Sequence, residues 1–234
     1  MRHQGAGLLP KHWHHGAIER VSGADMDHSA VSIYRRFNEY VRKKDLGFLA
    51  TAMSPRWFFM DFYVYPPLIV LCLLLAFDGG VLQAVLSVGL VGLGLLVWSL
   101  AEYLIHRYGF HHVPGLKEAH LAHHADPEGL HGSPTAVTVL VFAVLAFAPL
   151  WYLIGLASAA AGTAGLMLGY LAYVGVHYAV HHFAGLGPRW LGPRLRGAMR
   201  DLIRAHAVHH HQLRFNFGVT TTLWDRVFGT LHRR

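Results

Sequence analysis

The sequence predicts an all-α integral membrane protein with four transmembrane helices, arranged as two hairpins under a cytoplasmic helical cap. Three observations predict it. Of the 234 residues, 53% are hydrophobic and only 14% charged, whereas soluble domains carry about a quarter charged residues. Lysine and arginine avoid two long windows of the chain. The 20 histidines, as many as all Lys and Arg together, crowd the borders of those windows. The single cysteine, Cys72, stands in an apolar run, which excludes a disulfide framework, a zinc ribbon and a thioredoxin-type motif. A net charge of +7 would by itself suit nucleic acid or an anionic membrane face. The apolar content favours the membrane, so nucleic acid is not an expected partner.

Residues 1–56 read as a polar lead rich in Gly, His and Ser, followed by a short helix from Ile33 to Phe48. Met26 is an alternative start, and no apolar stretch resembling a cleavable signal lies in this segment. Residues 57–230 form the membrane domain, and 231–234 a tail. A bilayer core needs about 20 helical residues, and four stretches supply them: Trp57–Phe77, Val81–Ile105, Pro134–Ile154 and Ser158–Val180. The first carries Asp61 near its start and Pro66-Pro67 within it, so a kink or a partly re-entrant path is expected there. Trp57, Phe58, Phe59, Phe62, Tyr63 and Tyr65 crowd its beginning, as an interfacial aromatic belt does. Asp78-Gly79-Gly80 and Gly155-Leu156-Ala157 are the expected turns on the far side.

Charge placement tests the spans independently of hydropathy. Nine Lys/Arg precede Trp57, eleven lie in 106–133 and 181–234, and none lies in 57–105 or 134–180. All twenty therefore share one side, which the positive-inside rule makes cytoplasmic, together with both termini. A bacterial inner membrane is the expected compartment, or the endoplasmic reticulum for a eukaryotic source. The cytoplasmic link 106–133 and cap 181–230 then lie over the spans.

Five histidines, His3, His12, His14, His15 and His28, sit in the lead and read as solvated bystanders. Most of the others form four clusters on the cytoplasmic side: His106/His111/His112, His120/His123/His124, His177/His181/His182 and His206/His209/His210/His211. His131 and His232 belong to none. Residues at i, i+3 and i+4 share a helix face, so His120, His123 and His124 present three imidazoles in one direction, as do His206, His209 and His210. His177 and His181 present two. His106 and His111 are five apart, which calls for a bend or a helix end, and Gly109 supplies a site for it. Ten imidazoles thus converge at one depth, just outside the hydrocarbon. A lone histidine is more often a satisfied core residue than a ligand, but ten neighbouring imidazoles cannot satisfy one another. One transition-metal ion takes about six ligands at most, so two ions are implied, and imidazole does not choose among iron, zinc, copper and nickel. No carboxylate lies in the clusters. Glu102, one turn before His106, is the expected partner for an imidazole N–H, with a plain hydrogen bond at the helix end as the alternative.

The motifs H-x4-H, H-x2-HH, H-x3-HH and H-x2-HH, in this order around two hairpins, resemble the fatty acid hydroxylase/sterol desaturase superfamily, and within it the fatty acid 2-hydroxylases. Local matches are Glu102-Tyr103-Leu104-Ile105-His106-Arg107, His123-His124-Ala125-Asp126-Pro127, His177-Tyr178-Ala179-Val180-His181-His182, Asn216 to Thr220, and Trp224 to Thr230. The resemblance covers about 56–230. It implies a membrane-bound oxidoreductase with a dinuclear metal centre that activates O2 and hydroxylates a lipid acyl chain of a fatty acid or ceramide-like lipid. The family's ligands fall on His106, His111, His120, His123, His124, His177, His181, His206, His209 and His210, leaving His112, His182 and His211 as neighbours or bystanders. Iron is expected for activity, with zinc as an alternative occupant of the site. The cytochrome b5 domain fused to many eukaryotic members has no counterpart in 1–56, which lacks its His-Pro-Gly-Gly motif. Electrons are therefore expected from a separate redox partner, cytochrome b5-like or ferredoxin-like, with an acidic surface suited to the basic face.

After His124 the family usually has an Arg and paired prolines, whereas this chain has Gly129-Leu130-His131-Gly132-Ser133-Pro134. That loop is a candidate border of the substrate entrance. From Leu195 onward, Leu195, Met199, Leu202 and His206 fall on one helical stripe, with Arg196, Arg200 and Arg204 on another. This is a basic amphipathic helix suited to the membrane surface, and a route for lipid along its apolar stripe competes with simple packing on the spans. A desaturase or sterol oxidase of the same superfamily is the main alternative function. A transporter lacks ionisable residues near the midplane, a membrane haem protein would not need ten histidines, and a zinc protease would show H-E-x-x-H.

Overall fold

The structure, a computed structural model, describes residues 51–183 and 192–232. The expected helix Ile33–Phe48 and the five histidines of the lead lie outside these residues. In chain order the elements are β1 (Thr51–Ala52), α1 (Pro55–Phe58), α2 (Asp61–Ala76), α3 (Val81–Leu104), π1 (Ile105–Phe110), α4 (Leu116–Ala125) and β2 (His131–Gly132). There follow α5 (Thr135–Val141), π2 (Phe142–Phe147), α6 (Ala148–Ile154), α7 (Leu156–His182), α8 (Pro193–His211) and α9 (Leu223–Val227). Among the described residues, four helical runs are long and apolar enough to cross a membrane: Pro55–Ala76, Val81–Phe110, Thr135–Ile154 and Leu156–His182. This is the architecture of a multi-pass membrane protein.

Each expected span is present, with local differences. The first breaks at Phe59-Met60 and not at the prolines, since Pro66 and Pro67 both lie inside α2. The second turn is a single residue, Gly155, whose φ of +80° lets α6 end and α7 begin at once. α7 is also longer than its hydropathy suggested, and carries His181 and His182 as its last helical residues.

The four spans are not equivalent. α7 is the hub, packing chiefly against α3 and α2 and also against α6, whereas α2 and α3 scarcely touch each other. Its sequence explains this, because alanine and glycine line it from Ala159 to Gly165, and small residues let helices approach closely in lipid. A Cβ on Gly94 would strike the Gly162 carbonyl, and one on Gly165 the Val91 carbonyl. Tyr65, Ile69, Phe142, Met167 and Tyr170 pack together as a core. The outer faces of the other spans expose Leu74, Val85, Leu145 and Tyr152, a surface that fits lipid rather than water. At the turn near Gly79, Ser87 Oγ donates to the Ala76 carbonyl at 2.6 Å.

Two features position the histidines. β1 pairs antiparallel with β2, Thr51 opposite Gly132 and Ala52 opposite His131, and strengthens this strap with Met53 N–H to the Leu130 carbonyl at 2.7 Å. The loops on either side of α9 fold back onto the end of α3, with Tyr103 stacked on Phe228 at 5.3 Å.

Candidate metal centre

The second span continues past α3 as a π-helical turn, Ile105–Phe110. Hydrogen bonding from i to i+5 widens the helix there. The five-residue spacing of His106 and His111 is thereby accommodated without the bend expected at Gly109, and their rings stack 5.4 Å apart. π-helical turns often mark functional sites.

α4 and α8 deliver the two triads, but neither triad acts as one face. Successive helical residues rotate by about 100°, so positions i+3 and i+4 diverge once the ligand atoms must meet within a few ångströms. On α4, His120 and His124 join one group and His123 another. On α8, His206 and His210 join the second group and His209 the first. The first group is His106, His111, His120, His124 and His209; the second is His123, His181, His206 and His210, and in each the ligand atoms lie within 4.8 Å of one another. His177 stands at the edge of the second, its ring 4.7 Å from that of His123 and 5.0 Å from that of His206. All ten histidines singled out from the sequence are therefore brought together. The groups adjoin where His124 stacks on His210 at 4.1 Å.

Ring nitrogens face one another as ligands around a cation do. His106 Nε2 lies 3.0 Å from His120 Nε2, which is 2.9 Å from His124 Nε2. His111 Nε2 lies 3.2 Å from His209 Nε2. In the second group His206 Nε2 is 3.0 Å from His181 Nε2 and 3.1 Å from His210 Nε2. A neutral imidazole nitrogen offers one proton or one lone pair. His120 Nε2 can satisfy one of its two neighbours, and so can His206 Nε2. Among the described residues, His123 Nε2, His124 Nδ1 and His206 Nδ1 are buried without a hydrogen-bond partner. Each group therefore fits a bound cation, with imidazole donors that suit a transition metal.

Burial and the neighbouring imidazoles hold these groups neutral. Burial depresses the pKa of His111 and of His209 to about 4, and burial with His209 and His111 nearby takes His124 to about 3. His120, His123, His206 and His210 are pushed down for the same reasons. Neutral imidazole is the form that binds metal.

The C-terminal loop sets the tautomers of two rings of the first group, His106 and His209. His106 Nδ1–H donates to the Phe217 carbonyl at 2.6 Å and His209 Nδ1–H to the Phe215 carbonyl at 2.8 Å, which turns both Nε2 lone pairs inward. Glu102, expected beside an imidazole, touches none. Its buried carboxylate accepts from Val219 N–H and Thr220 N–H, both at 2.7 Å, and from Thr220 Oγ1. It thus acts on His106 through the loop. Asp225, fully buried, accepts from Phe217 N–H at 2.8 Å, Gly218 N–H at 2.9 Å and Thr230 Oγ1 at 2.7 Å. Asn216, held at φ 55°, joins Ala205 to His232 through its amide. Sequence reasoning placed Asn216 and Asp225 in matching motifs without a role. Their partners lie across a fold that spacing does not encode.

Among the other histidines, His112 reaches the Arg107 carbonyl and His182 stacks on Tyr178. His131, set aside in the sequence, lies 5.8 Å from His123. It lines, with Gly132 and Ser133, a cavity of about 270 Å³ roofed by His120, His123 and His177. The Gly129–Pro134 loop does border this cavity. No residue of α8 lines it, so the apolar stripe of Leu195, Met199 and Leu202 is not its wall; its lining comes from the spans, α4 and the strap instead.

A family model described as fatty acid hydroxylase matches residues 91–230. The chain belongs to the fatty acid hydroxylase family. It is 32% identical over 199 residues to the dihydroceramide fatty acyl 2-hydroxylase FAH2 of Arabidopsis thaliana, covering 76% of this chain and 80% of that protein. It is 35% identical to the fatty acid 2-hydroxylase of Rattus norvegicus over 62% of this chain and 40% of that one. The solved hydroxylase domain of full-length scs7p superposes with a TM-score of 0.62 at 27% identity, covering 75% of this chain and 67% of that one. A family hydroxylase is by its chemistry a lipid-modifying oxidoreductase, and the histidine groups suit that family.

Proposed function

We propose that the protein hydroxylates the acyl chain of a membrane lipid at the carbon next to its carbonyl, using O2, two metal ions and electrons from a separate donor. The observation that carries this reading is the pair of histidine groups roofing an apolar cavity between spans, in a chain whose relatives are named 2-hydroxylases. His106, His111, His120, His124 and His209 hold one ion; His123, His181, His206 and His210 hold the other, with His177 beside them. Iron bound there supplies O2 activation and attack on an unactivated C–H bond, chemistry that zinc, lacking redox states, does not perform.

The chain's own residues do the rest. The Phe215 and Phe217 carbonyls keep Nδ1–H of His209 and His106 occupied, so their lone pairs stay directed inward. The cavity takes the acyl chain from the bilayer side and excludes water, and its roof meets one C–H bond. The histidine groups lie on the cytoplasmic side, where the flanking arginines and lysines receive an acidic electron donor. The unit that does this is 57–230.

Lipid profiling of cells that express the protein tests the reading against a His123→Ala/His209→Ala variant. A 2-hydroxylated lipid present with the wild type and missing with the variant is expected. Its absence in both, or persistence in both, overturns the proposal. Fewer than two metal ions per chain in the purified protein overturns the dinuclear assignment separately.

A further inference from the structure

The C-terminal loop does more than orient imidazoles, because it is fastened along the side of a span. Ser99 Oγ donates to the Leu96 carbonyl at 2.8 Å and accepts from Trp224 Nε1–H at 3.0 Å. One turn on, Glu102 takes the amides of Val219 and Thr220, and Tyr103 O–H meets Thr230 Oγ1 at 2.9 Å. α9 is thereby pinned against α3 at residues 99–103. Ser99 follows Val81, the first residue of α3, by 18 positions, or about 27 Å at 1.5 Å per residue. A hydrocarbon core is about 30 Å thick. With the Gly79-Gly80 turn at the far edge, Ser99 lies just inside the near edge, and any tilt of α3 draws it deeper.

Leu223 and Val227, at i and i+4, share one face of α9. Asp225 points the opposite way into the loop, where it is fully buried. The outer face is bare: Leu223 is 44% exposed, Val227 60% and, just beyond the helix, Phe228 47% although it stacks on Tyr103. Apolar residues exposed singly need no explanation, but these stand together at acyl-chain depth, beside a helix that exposes Leu95, Leu96 and Leu104 on either side of the same level. Charge agrees with that placement. Arg226 is exposed on the flank of the face, where its stem can lie along lipid while its head reaches phosphate. Asp225 is the one carboxylate in 213–231, and it is turned inward.

The same short helix holds the buttress of the first histidine group. Asp225 fixes Phe217 N–H and Gly218 N–H, and the Phe217 carbonyl takes His106 Nδ1–H. Whatever bears on the outer face of α9 therefore bears on that ring, through two hydrogen bonds and one residue of backbone. We propose that α9 is a bilayer-inserted element: Leu223, Val227 and Phe228 contact acyl chains of the leaflet on the histidine side, and this contact keeps the loop that orients His106 in place. The occupant of the face is the bilayer itself. Insertion of α9 is independent of which lipid the protein modifies.

The test places a dye on the outer face of α9. Full-length protein carrying Cys72→Ser is reconstituted in nanodiscs of phosphatidylcholine and phosphatidylglycerol. A thiol-reactive fluorophore is attached at Val227→Cys, at Leu140→Cys on the exposed side of the third span near its histidine end, or at Lys117→Cys on the exposed start of α4. A nitroxide on the fifth carbon of the lipid acyl chain is expected to quench the dye at position 227 as strongly as that at 140, and to leave that at 117 bright. A dye at 227 that escapes quenching as the one at 117 does overturns insertion. Metal retention reads the coupling. Val227→Asp sets a charge against the acyl chains, whereas Val227→Ala keeps the face apolar. In nanodiscs Val227→Asp is expected to weaken retention at the first group about 10-fold against a chelator, the lower end of what losing an outer partner costs, while the second group keeps its ion and Val227→Ala matches the wild type. Equal loss from both groups, or unchanged retention in Val227→Asp, overturns the coupling.

Discussion

The two histidine groups draw on α4 and α8 in reciprocal proportions, the first adding His106 and His111 and the second His181, yet they are supported differently. α4 gives two rings to the first group and one to the second; α8 does the reverse. The first group is buttressed by backbone carbonyls of the C-terminal loop, which Glu102 and Asp225 hold from below. Among the described residues, His206 Nδ1 and His123 Nε2 of the second group have no hydrogen-bond partner, and in the first the same holds of His124 Nδ1. The fold thus dictates the tautomers of His106 and His209 in the first group, whereas His123 and His206 in the second rely on what they bind. The difference shows that equal ligand spacing does not mean equal preorganisation, because orientation comes from what touches the far side of each ring.

The largest test of this contrast removes a ring from each group. His106→Ala and His206→Ala are each expected to cut product formation at least about 100-fold, since loss of a mere outer partner already costs 10–100-fold. Metal analysis should show one ion lost first from the altered group. Simultaneous loss of both ions in either variant would mean that the groups bind as one unit.

Loosening the loop should separate the groups more sharply. Glu102→Ala removes the oxygens that accept from Val219 N–H, Thr220 N–H and Thr220 Oγ1. It is expected to weaken metal binding at the first group about 10–100-fold while sparing the second. Competition with a chelator followed by metal counting reads this directly, and equal weakening of both groups would refute the assignment of Glu102 to the first.

Acid provides a graded probe of the metal-stripped protein. The folded-state pKa of His111 and of His209 lies near 4, below the ordinary histidine value of about 6.5. The unfolded chain therefore takes up protons first as pH falls. Stability contributed by these neutral rings is complete above about 6.5, falls progressively toward 4, and levels off below it. Thermal midpoints measured across that window should decline, and a flat profile would show the rings to be solvated. The smallest effect is expected from Thr230→Val, which deletes the hydrogen bond to Asp225 and the contact with Tyr103. A cost of about 1 kcal/mol should lower the melting temperature by a few degrees and leave metal content unchanged.

Much of this was legible along the chain. Hydropathy is a local property, and the four spans follow from it because a helix in lipid satisfies its own backbone. The histidine clusters were legible for a similar reason, as i, i+3 and i+4 spacing places rings at one helix end. The five-residue gap between His106 and His111 pointed to something irregular, though the irregularity proved to be a π-helical turn instead of a bend at Gly109. The first span offered two prolines as the interruption, and the break came before Asp61, where the helix had not yet entered its apolar run.

By itself, then, the sequence determined how many helices cross the membrane, which ends carry the basic and imidazole groups, and that ten histidines would meet. Each follows from composition or from periods of a few residues. Tertiary structure alone decided that the triads divide two to one, that α7 is the hub, that Glu102 and Asp225 act on His106 through a loop more than a hundred positions from α3, and that α9 is fastened along the end of that helix. Those are pairings between residues far apart in the chain, chosen by how small side chains on α7 let helices close together and by which buried polar atoms find partners once they have.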